Sequence, residues 1–315
     1  MDYLISDIID RGTGVKEFQL RRLDGGALAP WRPGSHIMLR FRAASGCRYE
    51  RHYSLVGVPG AAEVYRIAVQ REANGKGGSR SLHDELRTGM LIDVDGPHDG
   101  FPLDTSGAGR VLLVAGGIGI TPLISMAHAL GLDGKPYTLH YLARNADRLQ
   151  LLDELRTATS ATVLPHLSAL HGHADLAVML GPYQMGDMLY ACGPTPLLQA
   201  LVVAGQRQGW PAAALRFESF GGRAQAGDVA LTVELSLSEI TVDVAPGTSI
   251  LDALIAADVF VSYECKRGEC GNCYTEVLEG QPLHRDLCLT PAMRAGGMCT
   301  CVSWAGPPGR LVLAL

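Results

Sequence analysis

The feature that most constrains this chain is a short loop near its C-terminus that contains three cysteines. Cys265, Cys270 and Cys273 follow the spacing C-x4-C-x2-C within nine residues, and Cys301 comes after a further 27 residues. A tetrahedral zinc site usually shows two close pairs of ligands. Three close thiolates completed by a remote fourth are typical of a plant-type [2Fe–2S] cluster. The spacing therefore predicts an iron–sulfur site, with a zinc knuckle or incidental cysteines as the alternatives.

The loop and the cysteines after it provide the details that such a cluster requires. Gly268 and Gly271 suit a backbone that folds around inorganic sulfide with positive φ angles and inward N–H groups. Cys288, Cys299 and Cys301 are candidates for the fourth ligand. In an extended GMCTCVSW segment the last two would share a face, so direction does not separate them. Their positions along the strand would differ by about 6.6 Å, so only one of them can meet the iron.

Composition and charge exclude several classes of function. A length of 315 residues suggests two or three domains. A net charge of −5, with no run of lysines and arginines, makes nucleic acid a poor partner. The N-terminus lacks a basic region followed by a long apolar run, and glycines and a proline interrupt the longest apolar stretch. We therefore expect no signal peptide, no membrane span and a cytoplasmic chain. In such a chain, eight cysteines indicate metal binding, catalysis or core packing rather than disulfides.

Three zones follow one another along the chain and predict a multi-domain α/β plus β fold. Residues 1–103 contain short apolar or alternating runs between Gly and Pro clusters, which predict a small antiparallel barrel. Residues 104–222 alternate strand and helix, which predicts a parallel sheet of the nucleotide-binding kind. The glycine-rich stretch 220–228 indicates a linker. Residues 229–315 contain a hairpin, a helix, the cysteine loop and a final strand.

Two turns in the middle zone have the chemistry of a dinucleotide site. VAGGIGITP ends a strand and opens a helix, although Pro122 stands where the third glycine of the usual fingerprint belongs. Gly116, Gly117 and Gly119 allow a close backbone approach, and the helix N-terminus favours pyrophosphate charge. YACGPTPLL repeats the strand-to-helix turn. Its Cys192 is either a buried core residue or part of the nicotinamide pocket.

The ordered set of motifs resembles the phthalate dioxygenase reductase family, which includes vanillate demethylase reductases. The matching segments are RHYSL, GKGGSRSLH, GPHDGFPL, AGGIGITPL, YACGPTPL, ESFGG and CKRGECGNC…CVS, and together they span essentially the whole chain. The resemblance implies an N-terminal flavin-binding β-barrel (1–103), an NAD-binding domain (104–222) and a C-terminal β-grasp plant-type ferredoxin domain (229–315). It also implies transfer of electrons to the Rieske cluster of a separate terminal oxygenase.

The resemblance further implies roles for particular residues. Tyr53 would supply an aromatic ring against the flavin, Ser54 a hydroxyl near its N5 and Arg51 a cation for its phosphate. Phe220 would lie against the flavin at the domain junction. The implied FMN site consists of Arg51, His52, Tyr53, Ser54, Ala68, Gln70, Gly77, Gly78 and Ser79. The implied dinucleotide site consists of Gly116, Gly117, Gly119, Thr121, Pro122, Cys192, Gly193 and Pro194. The implied cluster ligands are Cys265, Cys270, Cys273 and Cys301, the last because it matches the family's CVS run.

The chain departs from the family at two positions where arginine is common. Lys76 keeps the charge but loses the planar fork of a guanidinium, and Trp304 follows the CVS run. Two isolated histidines, His171 and His173, form an H-x-H without a partner of metal-site spacing, so we expect them at the surface.

The expected function is an NADH-dependent reductase with FMN, NADH and a [2Fe–2S] cluster as cofactors. Because catalysis of this kind is mainly positioning and redox tuning, we nominate no catalytic acid or base. We expect a monomer with a transient protein partner, the Rieske oxygenase. The alternatives are a module that reduces a cytochrome P450 or another acceptor, and a redox sensor without turnover.

Two finer predictions concern the cofactors. FMN is expected rather than FAD, because no extra segment after the phosphate loop is available to house an adenylate. NADH is expected rather than NADPH, although Arg144 and Arg148 flank Asp147 after the second strand of the middle zone, so the local charge is mixed.

Overall fold

The computed structural model describes residues 2–60, 62–73, 75, 77–107, 109–157, 162–220 and 227–315. The chain forms two compact units, Met1–Glu218 and Ser219–Leu315. Lys76, the predicted boundary at 222 and most of the predicted linker 220–228 lie outside the described residues, and the predicted domain boundaries stay predictions. The predicted fold class, with an antiparallel, a parallel and a mixed sheet in chain order, is confirmed.

Six antiparallel strands form the first sheet of the first unit. These strands and the helix between the last two of them are β1 (Asp2–Asp10), β2 (Val15–Arg22), β3 (His36–Arg42), β4 (Arg48–Ser54), β5 (Tyr65–Gln70), α1 (Gly78–Asp84) and β6 (Leu91–His98). Their order is β4-β3-β6-β1-β2-β5. A bridge between Leu55 and Ile67 links the chain after β4 to β5, so the two edges of the sheet meet and close a barrel. Alternate residues of β5 point into the barrel core.

The first strand was not among the runs that the sequence identified. Its register on β2 shifts between Ile5 and Asp7, which marks a bulge. A bulge adds a residue to one strand and so breaks the strict alternation of apolar and polar positions. Tyr3 and Ile5 are buried before the shift, but no residue after it is. The bulge therefore explains why this strand has no regular pattern.

A five-stranded sheet follows in the first unit. Its elements are β7 (Val111–Gly116), α2 (Ile120–Leu132), β8 (Tyr137–Ala143), α3 (Leu152–Thr157), β9 (Thr162–Leu167), α4 (Ser168–His171), α5 (Leu176–Leu180), β10 (Met188–Gly193), α6 (Thr195–Arg207) and β11 (Leu215–Ser219). The order is β11-β10-β7-β8-β9, with parallel pairing from β10 through β9. Every residue of the central strand β7 is buried, as expected for a strand covered on both faces. The strand order reverses between β7 and β10.

A buried ion network joins the barrel to the second sheet within the first unit. Glu17 on β2 is fully buried and accepts hydrogen bonds from Arg66 Nε at 2.7 Å and Arg11 Nη2 at 2.5 Å. Arg66 also donates to Glu154 on α3. Burial by itself raises the pKa of Glu17, but the two guanidinium groups outweigh it and hold that pKa below its usual value. The carboxylate is therefore charged at neutral pH and ties the two sheets together.

The second unit is a mixed sheet covered by one helix. Its elements are β12 (Leu231–Leu235), β13 (Ile240–Val244), α7 (Ile250–Ala256), β14 (Tyr274–Gly280), β15 (Pro282–Leu283), α8 (Pro291–Gly296), β16 (Gly297–Cys299), β17 (Trp304–Ala305) and β18 (Arg310–Leu313). The sheet order is β13-β12-β18-β14-β16, and β15 pairs separately with β17. The final strand β18 runs parallel to β12 and antiparallel to β14, so it completes the centre of the sheet. Ile250, Leu251 and Leu254 of α7 are fully buried in the core of this unit.

The helices of the chain are short. The longest among the described residues, α2 and α6, have 13 residues each. Within the described part of the chain, none combines the length and the apolar character that crossing a bilayer requires.

Candidate functional site

The four predicted cluster ligands lie in the second unit. Cys265, Cys270 and Cys273 belong to the cluster loop, residues 265–273. Cys301 lies in the turn after β16, where the preceding residue, Thr300, donates its N–H and its hydroxyl to the Cys273 carbonyl, both at 3.2 Å. This contact brings the remote cysteine to the loop. Among the described residues no group of three or more such side chains is arranged around a single metal ion.

The backbone of the cluster loop has the conformation expected for a cluster cradle. Gly268 and Gly271 have φ angles of 75° and 79°, and a Cβ on Gly268 would lie only 2.6 Å from Val302 Cγ2. Backbone N–H groups point at sulfur: that of Arg267 donates to Cys265 Sγ at 3.3 Å, and that of Asn272 to Cys270 Sγ at 3.5 Å. Such donors stabilise thiolate charge. The donor set and its surroundings therefore fit a [2Fe–2S] cluster.

The expectation that the segment through Cys301 is extended is wrong. Strand β16 ends at Cys299, and Ser303 N–H donates to the Cys299 carbonyl at 3.0 Å, so the chain turns. The two cysteines therefore do not share the face of one strand. Cys299 pairs across the sheet with Tyr274, the residue after Cys273. The assignment of Cys301 as the fourth ligand stays a prediction.

The predicted phosphate-binding residues of the flavin site are brought together in the first unit. Gly77 has a φ of 92°, and a Cβ on it would lie 2.6 Å from Tyr49 Oη. A Cβ on Gly78 would lie 2.9 Å from Arg51 Nε. Gly77 therefore suits a left-handed backbone position that other residues rarely adopt, and a side chain on Gly78 would displace the Arg51 guanidinium on β4. The Ser79 hydroxyl accepts a hydrogen bond from Glu72 N–H at 3.0 Å and so fixes the turn.

The other predicted flavin residues occupy both faces of β4 and β5. Tyr53 packs against the barrel core, and burial raises its pKa above the usual value, while Ser54 at the end of β4 is buried. His52 points the other way, is exposed, and lies with its ring centroid 5.1 Å from that of His36. On β5, Ala68 is buried in the core of the parallel sheet, and Gln70 is half-buried.

The two predicted nucleotide turns meet at the carboxyl ends of adjacent strands. A Cβ on Gly119 would lie 2.2 Å from the Cys192 carbonyl oxygen, and a Cβ on Gly116 would lie 2.8 Å from Pro194 Cδ. A Cβ on Gly193 would in turn lie 3.0 Å from Gly116 Cα. Strands β7 and β10 are also where the strand order reverses, which is the position of ligand crevices in open parallel sheets. The glycines are thus required by the close approach of the two turns.

The remaining predicted dinucleotide residues lie around this crevice. Gly117 has a φ of 56° and open space beside it. Thr121 donates its hydroxyl to the Ile118 carbonyl at 3.1 Å, and Pro122 is buried in the first turn of α2. The side chain of Cys192 is fully buried in the core. This burial agrees with core packing of Cys192, and its place in the nicotinamide pocket stays a prediction.

Four further residues named in the sequence analysis lie at the following positions. Phe220 is 44% exposed, and His171 and His173 are exposed as expected. Trp304, the departure from the family pattern, is a buried residue of the second unit. Its Nε1 donates to the Val229 carbonyl at 3.1 Å, so this substitution changes the core.

Asp286 is a residue that the sequence analysis missed. It is fully buried, and its carboxylate accepts hydrogen bonds from Leu289 N–H at 3.1 Å and Arg294 Nη2 at 3.0 Å. The next residue, Leu287, donates its N–H to the Gly268 carbonyl at 2.8 Å. Asp286 therefore holds the segment that covers the cluster loop. The available indication was a charged residue directly before the apolar LCL run, residues 287–289, because a carboxylate that becomes buried needs partners.

Comparison with known proteins agrees with these sites. The model of the 2Fe-2S iron-sulfur cluster binding domain matches residues 233–305. The phenoxybenzoate dioxygenase subunit beta of Ectopseudomonas oleovorans is 40% identical over 290 residues, covering 92% of this chain and 89% of the relative. The solved structure of phthalate dioxygenase reductase, described as modular for electron transfer from pyridine nucleotides to [2Fe–2S], matches with a TM-score of 0.73 and 30% identity. The match covers 100% of this chain and 98% of that one. The chain belongs to the phthalate dioxygenase reductase family.

Membership of this family decides the class of enzyme. The vanillate O-demethylase oxidoreductase of Pseudomonas sp. (strain HR199 / DSM 7063) is also 34% identical over 279 residues, covering 87% of this chain and 86% of the relative. The chain is an oxidoreductase of the flavin and iron–sulfur electron-transfer type. The predicted reductase function is confirmed over its alternatives, and FMN and NADH, the cofactors of the family, accompany the cluster.

Proposed function

We propose that the chain is the NADH-dependent reductase component of a two-component Rieske non-haem iron oxygenase. Electrons pass from NADH to FMN, to the [2Fe–2S] cluster and then to a separate terminal oxygenase. One observation carries this proposal: a single chain combines two glycine turns that meet at the carboxyl ends of β7 and β10, where a two-electron dinucleotide donor would bind, with four cysteines in the spacing of a one-electron [2Fe–2S] cluster. A chain with both sites converts paired electrons into single ones.

The cluster ligands in this proposal are Cys265, Cys270, Cys273 and Cys301. When bound, the cluster supplies a one-electron carrier, and FMN supplies an acceptor for the hydride of NADH. The protein's contribution at the cluster is to hold four thiolates and to stabilise their charge with the N–H groups of Arg267 and Asn272. Cys270 is the exposed ligand of the set, so it marks the edge of the loop that solvent and a protein partner reach.

The flavin site is proposed on the turn that packs against β4. Arg51 lies beside Gly78, so its guanidinium and the N–H groups of the turn are placed to bind a phosphate. Tyr53 offers an aromatic ring and Ser54 a hydroxyl from the same strand. Because burial raises the pKa of Tyr53, its phenol stays neutral and keeps its proton at physiological pH.

The dinucleotide site is proposed at the crevice between β7 and β10. The Gly116–Gly119 turn precedes α2, whose N-terminus favours the charge of a pyrophosphate. The turn at Gly193 and Pro194 lies directly opposite, where it is placed to hold the nicotinamide half. Hydride transfer requires no proton from a side chain, so the chain contributes position rather than acid–base catalysis.

The partner is proposed from the relatives. They are named as parts of phenoxybenzoate dioxygenase and vanillate O-demethylase, which supports an oxygenase that hydroxylates or O-demethylates aromatic acids as the electron acceptor. We also propose that the chain is a cytoplasmic monomer that meets this acceptor transiently.

Steady-state reduction of two acceptors tests the proposal. The holoprotein should reduce both ferricyanide and cytochrome c at the expense of NADH. Cys301→Ser should keep the ferricyanide reaction, which needs only the flavin, and lose most of the cytochrome c reaction. Absence of both reactions in the wild type would support a sensor without turnover. A neighbouring gene with paired C-x-H motifs would identify the terminal oxygenase, and its turnover with this chain is the direct check.

A further inference from the structure

Two cysteines of the second unit have no role in the proposed function. Of the eight cysteines in the chain, four are the proposed cluster ligands, and Cys47 and Cys192 lie in the first unit. Cys288 and Cys299 remain. Both are free thiols, and their Sγ atoms lie 3.8 Å apart. The fold therefore places two cysteines that hold no iron in direct contact with each other.

The two thiols differ in their access to solvent. Cys288 is half-buried in the loop between β15 and α8, whereas Cys299 is fully buried at the end of β16. A reagent in solution therefore reaches Cys288 first. Because Cys288 lies outside the helices and strands, its loop can shift by the roughly 2 Å that separates the observed contact from the S–S bond length of a disulfide.

The thiol pair lies beside the cluster loop. A Cβ on Gly271 would lie 3.7 Å from Cys288 Sγ. The residue before this cysteine, Leu287, donates its N–H to the Gly268 carbonyl at 2.8 Å. Cys299 belongs to β16, the edge strand of the mixed sheet. A bond between the two sulfurs would therefore fasten the segment that covers the cluster loop to the sheet.

We propose that Cys288 and Cys299 form a reversible disulfide when they meet a small-molecule disulfide such as glutathione disulfide, and that this bond locks the segment over the cluster loop. The inference rests on the proposed ligand set, in which neither cysteine binds iron. In a reducing compartment the pair stays as thiols. Oxidation of the glutathione pool then drives the formation of the bond.

The reaction consists of two successive thiol–disulfide exchanges. The Cys288 sulfur loses its proton to solvent and attacks one sulfur of glutathione disulfide, whose S–S bond breaks and releases one glutathione thiolate, which takes up a proton. The Cys299 sulfur then loses its proton, attacks the Cys288 sulfur and releases the second glutathione in the same way. Two cysteine thiols thus give up two electrons, and one glutathione disulfide is reduced to two glutathione molecules.

Peptide mass spectrometry under non-reducing conditions tests the inference on the full-length holoprotein after treatment with glutathione disulfide. We expect a peptide that links Cys288 to Cys299, with two hydrogen atoms lost and no glutathione attached. The visible spectrum of the cluster should not change, and reduced glutathione should reverse the link. The linked protein should also release iron to a chelator about threefold to tenfold more slowly than the re-reduced protein, because a disulfide that closes a short loop restricts its opening.

Three serine variants control the measurement. Cys299→Ser should stop after the first exchange and keep one glutathione on Cys288, because the second thiol is missing. Cys288→Ser should leave Cys299 unmodified, since that thiol is fully buried. Cys47→Ser removes the exposed thiol of the barrel and should form the link as the wild type does.

The possible results are distinct. A link that forms with the cluster spectrum intact and slows iron release supports the inference. No reaction, glutathione retained on Cys288 in the wild type, or a link without slower iron release overturns it and leaves the cluster ligands as proposed. A link from Cys299 to a ligand cysteine, with the cluster spectrum lost, also overturns it, because oxidation then follows the loss of iron. Loss of the cluster in Cys299→Ser, with retention in Cys301→Ser, overturns both the inference and the ligand assignment.

Discussion

The cluster loop and the proposed dinucleotide crevice present opposite kinds of binding surface. The loop provides side-chain sulfurs, three of them within nine residues. The crevice provides backbone that comes close enough only because side chains are absent at Gly116, Gly119 and Gly193. A ligand made of side chains is visible in a short stretch of sequence. A crevice that depends on the absence of side chains can be recognised only when the turn on its opposite side is known from the tertiary structure.

Loss of one cluster ligand should have the largest effect. We expect Cys301→Ser to lose the cluster or strongly change its visible and EPR spectra, because a thiolate is removed from one iron. Cys288→Ser and Cys299→Ser should keep both spectra and serve as matched controls. Iron content and EPR of the purified proteins are the measurements. Loss of the cluster from Cys299→Ser but not from Cys301→Ser would show that the fourth ligand is misassigned.

The buried ion network that joins the barrel to α3 should give the next largest effect. Glu17→Gln leaves Arg66 and Arg11 without their buried carboxylate, and breaking a buried pair costs about 3–5 kcal/mol of unfolding free energy. Because the folded pKa of Glu17 is lowered, its contribution is present above the unfolded pKa and is lost as pH falls through the folded value. As pH falls, the unfolding free energy of the wild type should therefore decrease more steeply than that of the variant.

Urea unfolding at several pH values, followed by flavin fluorescence, checks this prediction. Asp84→Asn breaks an exposed pair with Arg71 and is the control, for which we expect little change at any pH. Equal stability of Glu17→Gln and the wild type at neutral pH would argue that the network does not hold the two sheets together.

A methyl group in the crevice should have a smaller, graded effect. Gly119→Ala places a Cβ 2.2 Å from the Cys192 carbonyl oxygen, so the two turns must move apart. We expect a loss of about 1–3 kcal/mol of unfolding free energy, typical of overpacking, with a higher KM for NADH. Gly227→Ala adds a methyl group with nothing within 4 Å and is the control. A normal KM in Gly119→Ala would separate these turns from dinucleotide binding.

The preference for NADH over NADPH should change least when a single residue is substituted. A 2′-phosphate prefers clustered cations, but Asp147 stands between Arg144 and Arg148, and its carbonyl accepts a hydrogen bond from the Thr13 hydroxyl at 2.6 Å. We expect a higher kcat/KM with NADH than with NADPH. Asp147→Asn should reduce the preference for NADH by removing one negative charge. A clear preference of the wild type for NADPH would refute the prediction.

The sequence by itself determined the parts that depend on a few neighbouring residues. The cysteine spacing predicted the cluster, the glycine turns predicted close backbone approach, and the alternation of strand and helix predicted the parallel sheet. Each of these features is local, because a ligand type, a left-handed φ or a hydrophobic period is fixed within about one element. These predictions are confirmed by the match of the 2Fe-2S domain, by the close approach of the glycine turns and by the order of the sheets.

Only the tertiary structure decided which of these parts meet. It placed Thr300, the residue before Cys301, against the Cys273 carbonyl, and it turned the chain after Cys299 where an extended strand was expected. It also placed the two glycine turns against each other and buried Trp304. These arrangements depend on strand crossovers and on packing free energy summed over a whole core. No segment of a few residues determines this total packing free energy, so the sequence alone did not predict these arrangements.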